Sequence, residues 1–193
     1  MGAPRNPFST EHLRPGALEF VFDEADARTL LEQWARARQA QLVGPPGSGK
    51  TTLLRSLGRA ARSQGVRTLE LRADRDALPR LGPDAPFDAL LLDEADALSR
   101  WRLHRLRRAI ERAGRTLLVA THRDLGLPTL RRCAVDEALA IRLTEQVLLA
   151  SPDLPVLVRA DEIVAPLRLH DHNLREALLA LYDLYEARWA ERY

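Results

Sequence analysis

The stretch that decides the fold reads Gln41-Leu42-Val43-Gly44-Pro45-Pro46-Gly47-Ser48-Gly49-Lys50-Thr51-Thr52. It fits the pattern G-x-x-x-x-G-K-[ST], in which the backbone N–H groups of a glycine-rich loop surround phosphate oxygens. A short apolar run precedes the loop, and leucines and alanines at helical spacing follow it. Because the pattern needs a strand before it and a helix after it, this context predicts a phosphate-binding loop.

The chemistry of the loop accounts for its residue types. Glycines let the backbone fold back and approach phosphate oxygens where side chains would collide. Lys50 brings a compact positive charge to the β- and γ-phosphates, and the Thr51 hydroxyl is placed to bind Mg²⁺. The residues expected to bind ATP are Gly44, Pro45, Pro46, Gly47, Ser48, Gly49, Lys50, Thr51 and Thr52.

Lys50 is the single lysine among the 29 lysine and arginine residues of the chain. A planar guanidinium cannot replace a compact ammonium inside such a loop. The one exception to arginine usage therefore falls where phosphate chemistry demands a lysine.

The composition is that of a globular protein. The chain is 46% hydrophobic and 29% charged, with a net charge of +2. Its length of 193 residues is enough for one α/β domain, with or without a small appendage. The one cysteine, Cys133, excludes an internal disulfide and a cysteine-clustered metal site. No apolar run approaches the ~18 residues of a membrane span, and the first residues lack the apolar core of a signal peptide. We therefore expect a cytoplasmic protein with no membrane partner.

A second motif begins with the apolar run Ala89-Leu90-Leu91-Leu92. Such a run is typical of a strand buried on both faces of a parallel sheet, and ligands bind at the carboxyl ends of such strands. Asp93 is the candidate for holding Mg²⁺, and Glu94 is the candidate base for the water that attacks the γ-phosphate. The alternative is that these acids only cap the next helix, and Asp96 is expected to cap or orient rather than catalyse.

Another buried strand is predicted over Thr116–Ala120, and it delivers Thr121 and His122 to the same edge of the sheet. A polar side chain there could contact the γ-phosphate or the attacking water. A histidine that simply packs near the core is the alternative for His122.

A basic helix is predicted over Ser99–Ala113, with Arg115 just beyond it. This Arg100–Arg115 segment holds the densest group of arginines in the sequence and could follow a nucleic-acid backbone. Solvated charge on the outer face of an amphipathic helix is the commoner explanation of such a pattern.

The predicted division of the chain is an N-terminal arm and helix over 1–38, an ATPase core over 39–143 and a helical lid over 144–193. Asp23 is the expected N-cap of the first helix, and the arm before it either packs on the body or covers the nucleotide base. Residues 72–87 read as a polar connection, and a last strand is predicted within Ala138–Leu143. Asn173 resembles the start of a capping box at the head of the last helix.

The loop at 44–51, the Leu-Leu-Leu-Asp-Glu-Ala-Asp stretch and the Val-Ala-Thr-His-Arg stretch resemble the AAA+ ATPases in order and spacing. The resemblance covers residues 40–135. It implies a three-layer α/β P-loop fold with a five-stranded parallel sheet and a small C-terminal helical lid. It also implies ATP hydrolysis at subunit boundaries, and hence a homo-oligomer that uses ATP and Mg²⁺.

The resemblance assigns further residues by position. His122 falls where the family usually has an asparagine that senses the γ-phosphate, with Thr121 as a substitute. Arg131 and Arg132, before Cys133, look like the clamp-loader segment whose arginine reaches into a neighbouring site. Arg175 is similar to the sensor arginine of the lid. Exposed surface charge is the alternative for each arginine.

Three functions follow from these motifs. The first is an AAA+-like oligomeric switch or loader that hydrolyses ATP to ADP and phosphate and acts on a protein partner. The second is a P-loop kinase of a small molecule, which the adjacent Asp93 and Glu94 disfavour because they serve water activation. The third is a nucleic-acid-associated ATP-binding helper with little turnover, for which the basic helix is the support.

Overall fold

The computed structural model describes residues 6–9, 24–73 and 85–192. The helices are α1 (Glu24–Ala37), α2 (Lys50–Ser63), α3 (Arg100–Arg112), α4 (Glu137–Leu149), α5 (Val164–Leu169) and α6 (Leu174–Arg192). The strands are β1 (Gln39–Val43), β2 (Thr68–Arg72), β3 (Ala89–Asp93), β4 (Thr116–Thr121) and β5 (Thr129–Arg132).

These elements belong to two compact units. The sheet unit comprises the described residues of Glu19–Gly44 and Lys50–Cys133, and the C-terminal unit those of Met1–Leu18, Pro45–Gly49 and Ala134–Tyr193. Helix α4 runs through residues 143 and 144, so the predicted division at that point falls inside a helix.

The sheet unit contains one five-stranded sheet in the order β2-β3-β4-β1-β5. Every pairing is parallel, with Leu42 opposite Ala120 and Leu92 opposite Val119. The prediction of an α/β fold with a five-stranded parallel sheet is confirmed. Because all strands run the same way, the phosphate-binding loop after β1 and the acids after β3 leave the sheet at one edge.

The alternation of buried residues along the strands places helices on both faces of the sheet. Leu91 and Leu118 pack with Trp34 of α1 and Leu57 of α2. The neighbouring positions on the same strands pack instead with Leu103, Leu106 and Ile110 of α3. Both faces are thus apolar, which explains the unbroken leucine run before Asp93.

The predicted strand within Ala138–Leu143 is wrong, because these residues belong to helix α4. Asp136 caps this helix by accepting a hydrogen bond from the Leu139 N–H at 2.7 Å. Its buried positions are Ala140, Thr144 and Val147, a spacing of four and three that belongs to a helix. The fifth strand lies earlier, at Thr129–Arg132.

The C-terminal unit has its own core. Phe8 packs edge to face against Tyr185, with ring centroids 6.5 Å apart, and the Tyr185 hydroxyl donates to the Pro155 carbonyl at 3.1 Å. The Asn6 Nδ2 group donates to Tyr182 O at 3.1 Å and to Glu186 Oε1 at 2.8 Å. Residues 6–9 are therefore held by helix α6.

Some predictions lie outside the described residues. They are the rest of the N-terminal arm through residue 22, the Asp23 cap and most of the connection at 72–87. Within the described residues, no helix is both long and apolar enough to cross a bilayer.

Candidate functional site

The glycine-rich loop joins β1 to α2, as its pattern predicts. Gly47 and Gly49 have φ angles of 71° and 83°, a backbone region that glycine enters without steric strain. The Gly44 N–H donates to the Thr121 carbonyl at 3.2 Å, which holds the start of the loop against the end of β4. The Ser48 N–H donates to the Pro45 carbonyl at 3.3 Å and closes the turn within the loop.

The hydroxyl group of Ser48 lies inside the phosphate-binding loop. Its oxygen, Oγ, is buried and has no hydrogen-bond partner among the described residues. Buried hydroxyls normally have a partner, so an orphan in a phosphate-binding loop fits a site that a ligand completes.

Lys50 is the first residue of α2 and its side chain is 7% exposed. Burial lowers the pKa of its ammonium group, against the attraction of the nearby Asp93 and Asp96 carboxylates. A buried cation among acids at a helix N-terminus is suited to bind an anion.

Thr51 and Asp93 are brought together although 42 residues separate them. The Thr51 Oγ1 atom donates to Asp93 Oδ2 at 2.9 Å, and Asp93 Oδ1 accepts from the Glu94 N–H at 3.0 Å. Hydroxyl and carboxylate oxygens are hard ligands of the type Mg²⁺ takes. This pair therefore fits the predicted metal site, while Thr52 lies half-buried one residue further along α2.

Glu94 begins the turn after β3 in a left-handed conformation, with φ 54° and ψ 40°. Its Oε2 atom accepts a hydrogen bond from Arg72 Nε at 2.6 Å. Arg72 lies at the end of β2, next to β3 in the sheet, and was not predicted as part of the site. Only the pairing of these two strands reveals that Arg72 reaches Glu94.

The end of β4 is arranged by its own hydrogen bonds. The buried Thr121 hydroxyl donates to the Arg123 carbonyl at 2.9 Å and accepts from the Arg123 N–H at 3.3 Å. The His122 side chain is exposed, and its backbone N–H donates to Asp96 Oδ1 at 3.0 Å. Asp96 thus orients the turn, as expected. Burial raises the pKa of Asp96, but the hydrogen bond from His122 N–H helps to lower it overall.

The predicted functional arginines lie on the surface. Arg131 is 3.3 Å from Asp26 and Arg132 is 3.6 Å from Asp124, each in an exposed ion pair within the chain. Arg175 is exposed in the first turn of α6 and has no hydrogen bond or ion pair with any described residue. Arg131 and Arg132 thus pair with Asp26 and Asp124 rather than with the acids at the end of β3.

Gln41 holds the turn that follows β4, and sequence reasoning missed it. Its fully buried side chain donates to Asp124 Oδ1 at 2.7 Å and to Leu127 O at 2.9 Å, and it accepts from the Leu125 N–H at 2.9 Å. A glutamine inside an apolar strand is the signal that could have identified it, because a buried amide needs partners.

Helix α3 presents the predicted basic face. Ser99 caps it, and Arg102, Arg105 and Arg108 are exposed along it. The Trp101 side chain is 63% exposed, and the Arg105 guanidinium lies 4.7 Å from the centre of its ring. An exposed tryptophan beside a row of arginines is typical of surfaces that bind nucleic acid.

Three comparisons bear on this site. No protein-family model matches the chain. The replication factor C small subunit of Aeropyrum pernix is 28% identical over 146 residues, which cover 64% of this chain and 45% of that protein. The replication factor C small subunit 1 of Pyrobaculum arsenaticum is 31% identical over 150 residues, covering 66% of this chain and 46% of that protein. The chain thus spans less than half the length of these curated relatives.

A solved structure agrees on the fold. The replication initiator DnaA, bound to AMPPCP and single-stranded DNA, superposes with a TM-score of 0.60 over 86% of this chain and 62% of that chain, at 18% identity.

A parallel sheet in which β1 leads through a glycine-rich loop into α2, with Asp93 and Glu94 at the carboxyl end of β3, defines a P-loop nucleotide-binding fold. The relatives agree with this fold, and the resemblance to the AAA+ ATPases seen in the sequence is confirmed.

Proposed function

We propose that this chain binds ATP with Mg²⁺ and hydrolyses it to ADP and phosphate. The observation that carries the proposal is the 2.9 Å hydrogen bond between Thr51 Oγ1 and Asp93 Oδ2, which joins the end of the phosphate-binding loop to the acidic end of β3. The buried Ser48 hydroxyl, which has no hydrogen-bond partner in the described part of the chain, and the buried Lys50 support it. The solved structure of the similar replication initiator DnaA contains AMPPCP, an analogue of ATP, which agrees with an ATP site.

Each residue of the site has a separate role in ATP binding or hydrolysis. The loop N–H groups and the Lys50 ammonium hold the phosphates, and Thr51 and Asp93 hold the metal ion. Mg²⁺, when bound, neutralises phosphate charge. Glu94 accepts a proton from water as the water oxygen bonds to the γ-phosphorus and the bond to the ADP oxygen breaks. Thr121, His122 or Arg175 would assist as polar groups near the γ-phosphate, a role that the resemblance suggests.

Binding and turnover are tested separately. Lys50→Ala should abolish binding of a fluorescent ATP analogue, because no other ammonium side chain exists in the chain. Glu94→Gln should bind the analogue normally and release phosphate about 10²–10⁴-fold more slowly. Unchanged turnover in Glu94→Gln would remove the proposed base. Transfer of phosphate to a small molecule, without release, would favour the kinase alternative.

The metal site is tested through binding rather than activity. Added Mg²⁺ should tighten analogue binding in the wild type and should not do so in Thr51→Ala or Asp93→Asn. The matched control is Asp88→Asn, which removes an exposed carboxylate one residue before the start of β3, the strand that ends at Asp93. If Asp88→Asn loses the Mg²⁺ effect to the same degree, general charge rather than a defined metal site explains it.

We propose further that two copies complete one site, with Arg132 or Arg131 of one copy acting on ATP held by the next. The Arg132–Asp124 pair is exposed and its atoms are 3.6 Å apart, so solvent weakens it and the guanidinium can exchange partners. Mixing Arg132→Ala with Lys50→Ala subunits should restore part of the turnover, because each variant lacks a different half of a shared site. Turnover that is independent of protein concentration would contradict this arrangement.

A second candidate function is nucleic-acid association, which the exposed Trp101 and the arginine face of α3 favour. A labelled single-stranded oligonucleotide should bind with strong salt dependence. Reversal of Arg102, Arg105 and Arg108 to Glu should abolish binding. Reversal of Arg36, Arg59 and Arg142 makes the same change in net charge elsewhere and should have a much smaller effect. Equal losses in the two triple variants would reduce the effect to overall charge.

The partner on which ATP turnover acts is proposed by class. The relatives are named replication factors, so a protein that handles DNA is the expected partner of an oligomeric switch or loader. Stimulation of phosphate release by single-stranded or primed DNA would support this class. A turnover that DNA leaves unchanged would favour the switch without nucleic acid.

A further inference from the structure

An open groove lies in the sheet unit beside the start of α3 and the turn that follows β4. Its volume is about 610 Å³, within the range of sites that hold a small ligand or a few peptide side chains. Leu98, Leu103 and Leu125 give it an apolar lining, and the first two of these are nearly buried. This groove is not part of the proposed ATP site.

The charged groups of the groove include two without a partner. Arg100 and His104 are exposed and make no hydrogen bond or ion pair with any described residue. Arg123 makes one long contact, from Nη2 to Asp96 O at 3.4 Å. Arg107, whose Nε donates to Gln39 Oε1, also lines the groove, so four basic side chains surround the apolar surface and three of them have most of their donors available.

Asp124 is the one carboxylate among the described residues that line the groove, and it does not neutralise these groups. Asp124 Oδ1 accepts from Gln41 Nε2 at 2.7 Å and from the Gly126 N–H at 2.8 Å, and its Oδ2 lies 3.6 Å from Arg132. These hydrogen bonds, that from Gln41 first, lower the pKa of Asp124. The carboxylate is thus committed to groups other than Arg100, His104 and Arg123, and the groove remains positive.

We propose that this groove binds an acidic segment of a partner protein that carries an apolar side chain. The charge complementarity selects carboxylates, and the leucine lining selects an apolar anchor between them. A nucleic-acid backbone would use the cations but not the leucines. It is better matched to the exposed face of α3, which carries Arg102, Arg105 and Arg108.

The test uses the full chain and a labelled eight-residue peptide of alternating aspartate and leucine, followed by fluorescence anisotropy. We expect saturable binding at one peptide per chain. Arg100→Ala with His104→Ala should weaken binding about tenfold, the effect of losing ~1.4 kcal/mol. Leu125→Asp, which places a negative charge against the peptide, should weaken it at least as much. ATP-analogue binding by each variant verifies that the sheet unit is folded.

Controls separate this site from general charge attraction. Arg59→Ala with Arg112→Ala removes two exposed arginines outside the groove and should change peptide binding less than twofold. A peptide with serine in place of leucine should bind at least fivefold more weakly. Equal losses in the two double variants, equal binding of the serine peptide, or displacement of the peptide by oligothymidine would each overturn the proposal. None of these outcomes depends on ATP hydrolysis, so the proposed function is judged apart from it.

Discussion

Arg72 Nε lies 2.6 Å from Oε2 of Glu94, so an ion pair joins the ends of two neighbouring parallel strands at the carboxyl edge of the sheet. Both side chains are substantially exposed, and Glu94 is the residue that the sequence nominates as the base. One of its two carboxylate oxygens is therefore engaged before any substrate arrives.

Arg72→Ala should raise ATP turnover by up to about fivefold. An exposed ion pair of this kind stabilises the protein by about 0.2–1 kcal/mol. Removing it can therefore lower the activation free energy of hydrolysis by no more than that amount. Arg72→Lys retains the charge and should stay near the wild-type rate in a phosphate-release assay. If turnover falls in Arg72→Ala, the arginine positions Glu94 for catalysis rather than restraining it.

Gly47→Ala should destabilise the C-terminal unit more than Gly65→Ala does. Both glycines have positive φ angles, 71° and 84°, so the backbone strain of the two substitutions is comparable. A Cβ on Gly47 would lie 1.9 Å from the Asn173 Oδ1 atom and 3.1 Å from the Leu174 nitrogen, whereas a Cβ on Gly65 meets nothing within 4 Å.

Urea unfolding measures the difference between these two variants. We expect Gly65→Ala to cost about 1 kcal/mol and Gly47→Ala about 1–3 kcal/mol more, the range for overpacking. Removing the nearest side-chain atoms with Asn173→Ala should recover part of the loss in Gly47→Ala. Equal stability of the two alanine variants would show that Asn173 does not contact the loop in solution.

Gln41→Met should destabilise the sheet unit by about 2–4 kcal/mol, because the isosteric thioether leaves buried backbone groups of Leu125 and Leu127 unpaired. The matched control is Gln39→Met on the same strand, whose amide exchanges two hydrogen bonds with Arg107 in a less buried setting. It should cost about 1 kcal/mol. Thermal and urea unfolding compare the two, and similar losses would refute a special role for Gln41.

The same substitution should also change a titration. The hydrogen bond from Gln41 is the first cause of the lowered pKa of Asp124. Gln41→Met should therefore move the Asp124 pKa back toward its ordinary value, a change that NMR of the carboxyl carbon can follow. An unchanged titration would show that the Gly126 N–H and Arg132 are sufficient.

Arg188→Ala should destabilise the C-terminal unit by about 1 kcal/mol at neutral pH, an estimate reduced for solvent screening. Arg188 makes a two-point contact with Glu162, at 2.7 and 2.9 Å, and this contact lowers the Glu162 pKa to about 2. Because the folded pKa is depressed, the contribution of the pair is full above the unfolded value of 4.5 and is lost as pH falls toward 2.

Thermal unfolding at pH 7 and pH 3 tests this linkage. The stability difference between wild type and Arg188→Ala should shrink at pH 3, leaving the part due to the hydrogen bond from Arg188 to Leu157 O. Arg142→Ala, an exposed arginine on α4, should cost little at either pH. A difference that is the same at both pH values would contradict the linkage to Glu162.

Local signals in the sequence were sufficient to predict the elements whose ends are marked by a cap or a turn motif. The glycine-rich loop lies between β1 and α2 as expected, and Ser99 begins α3 by accepting a hydrogen bond from the Arg102 N–H at 3.3 Å. Short apolar runs were ambiguous. Residues 138–143 (Ala-Leu-Ala-Ile-Arg-Leu) form such a run, which suits a buried strand or a helix, and the Asp136 cap and the packing of the C-terminal unit favour a helix.

The sequence by itself determined the phosphate-binding loop, the buried apolar strand that ends in Asp93, and the parallel α/β class. Each of these follows from the residue types in one short stretch of the chain. Only the tertiary structure decided that Thr129–Arg132 is the fifth strand, that Arg72 meets Glu94 and that Gln41 holds the turn after β4. Arg72 and Glu94 are 22 positions apart in the sequence, and Gln41 and Leu125 are 84 positions apart. Which distant residues meet depends on the order of strands in the sheet, and no local pattern encodes that order.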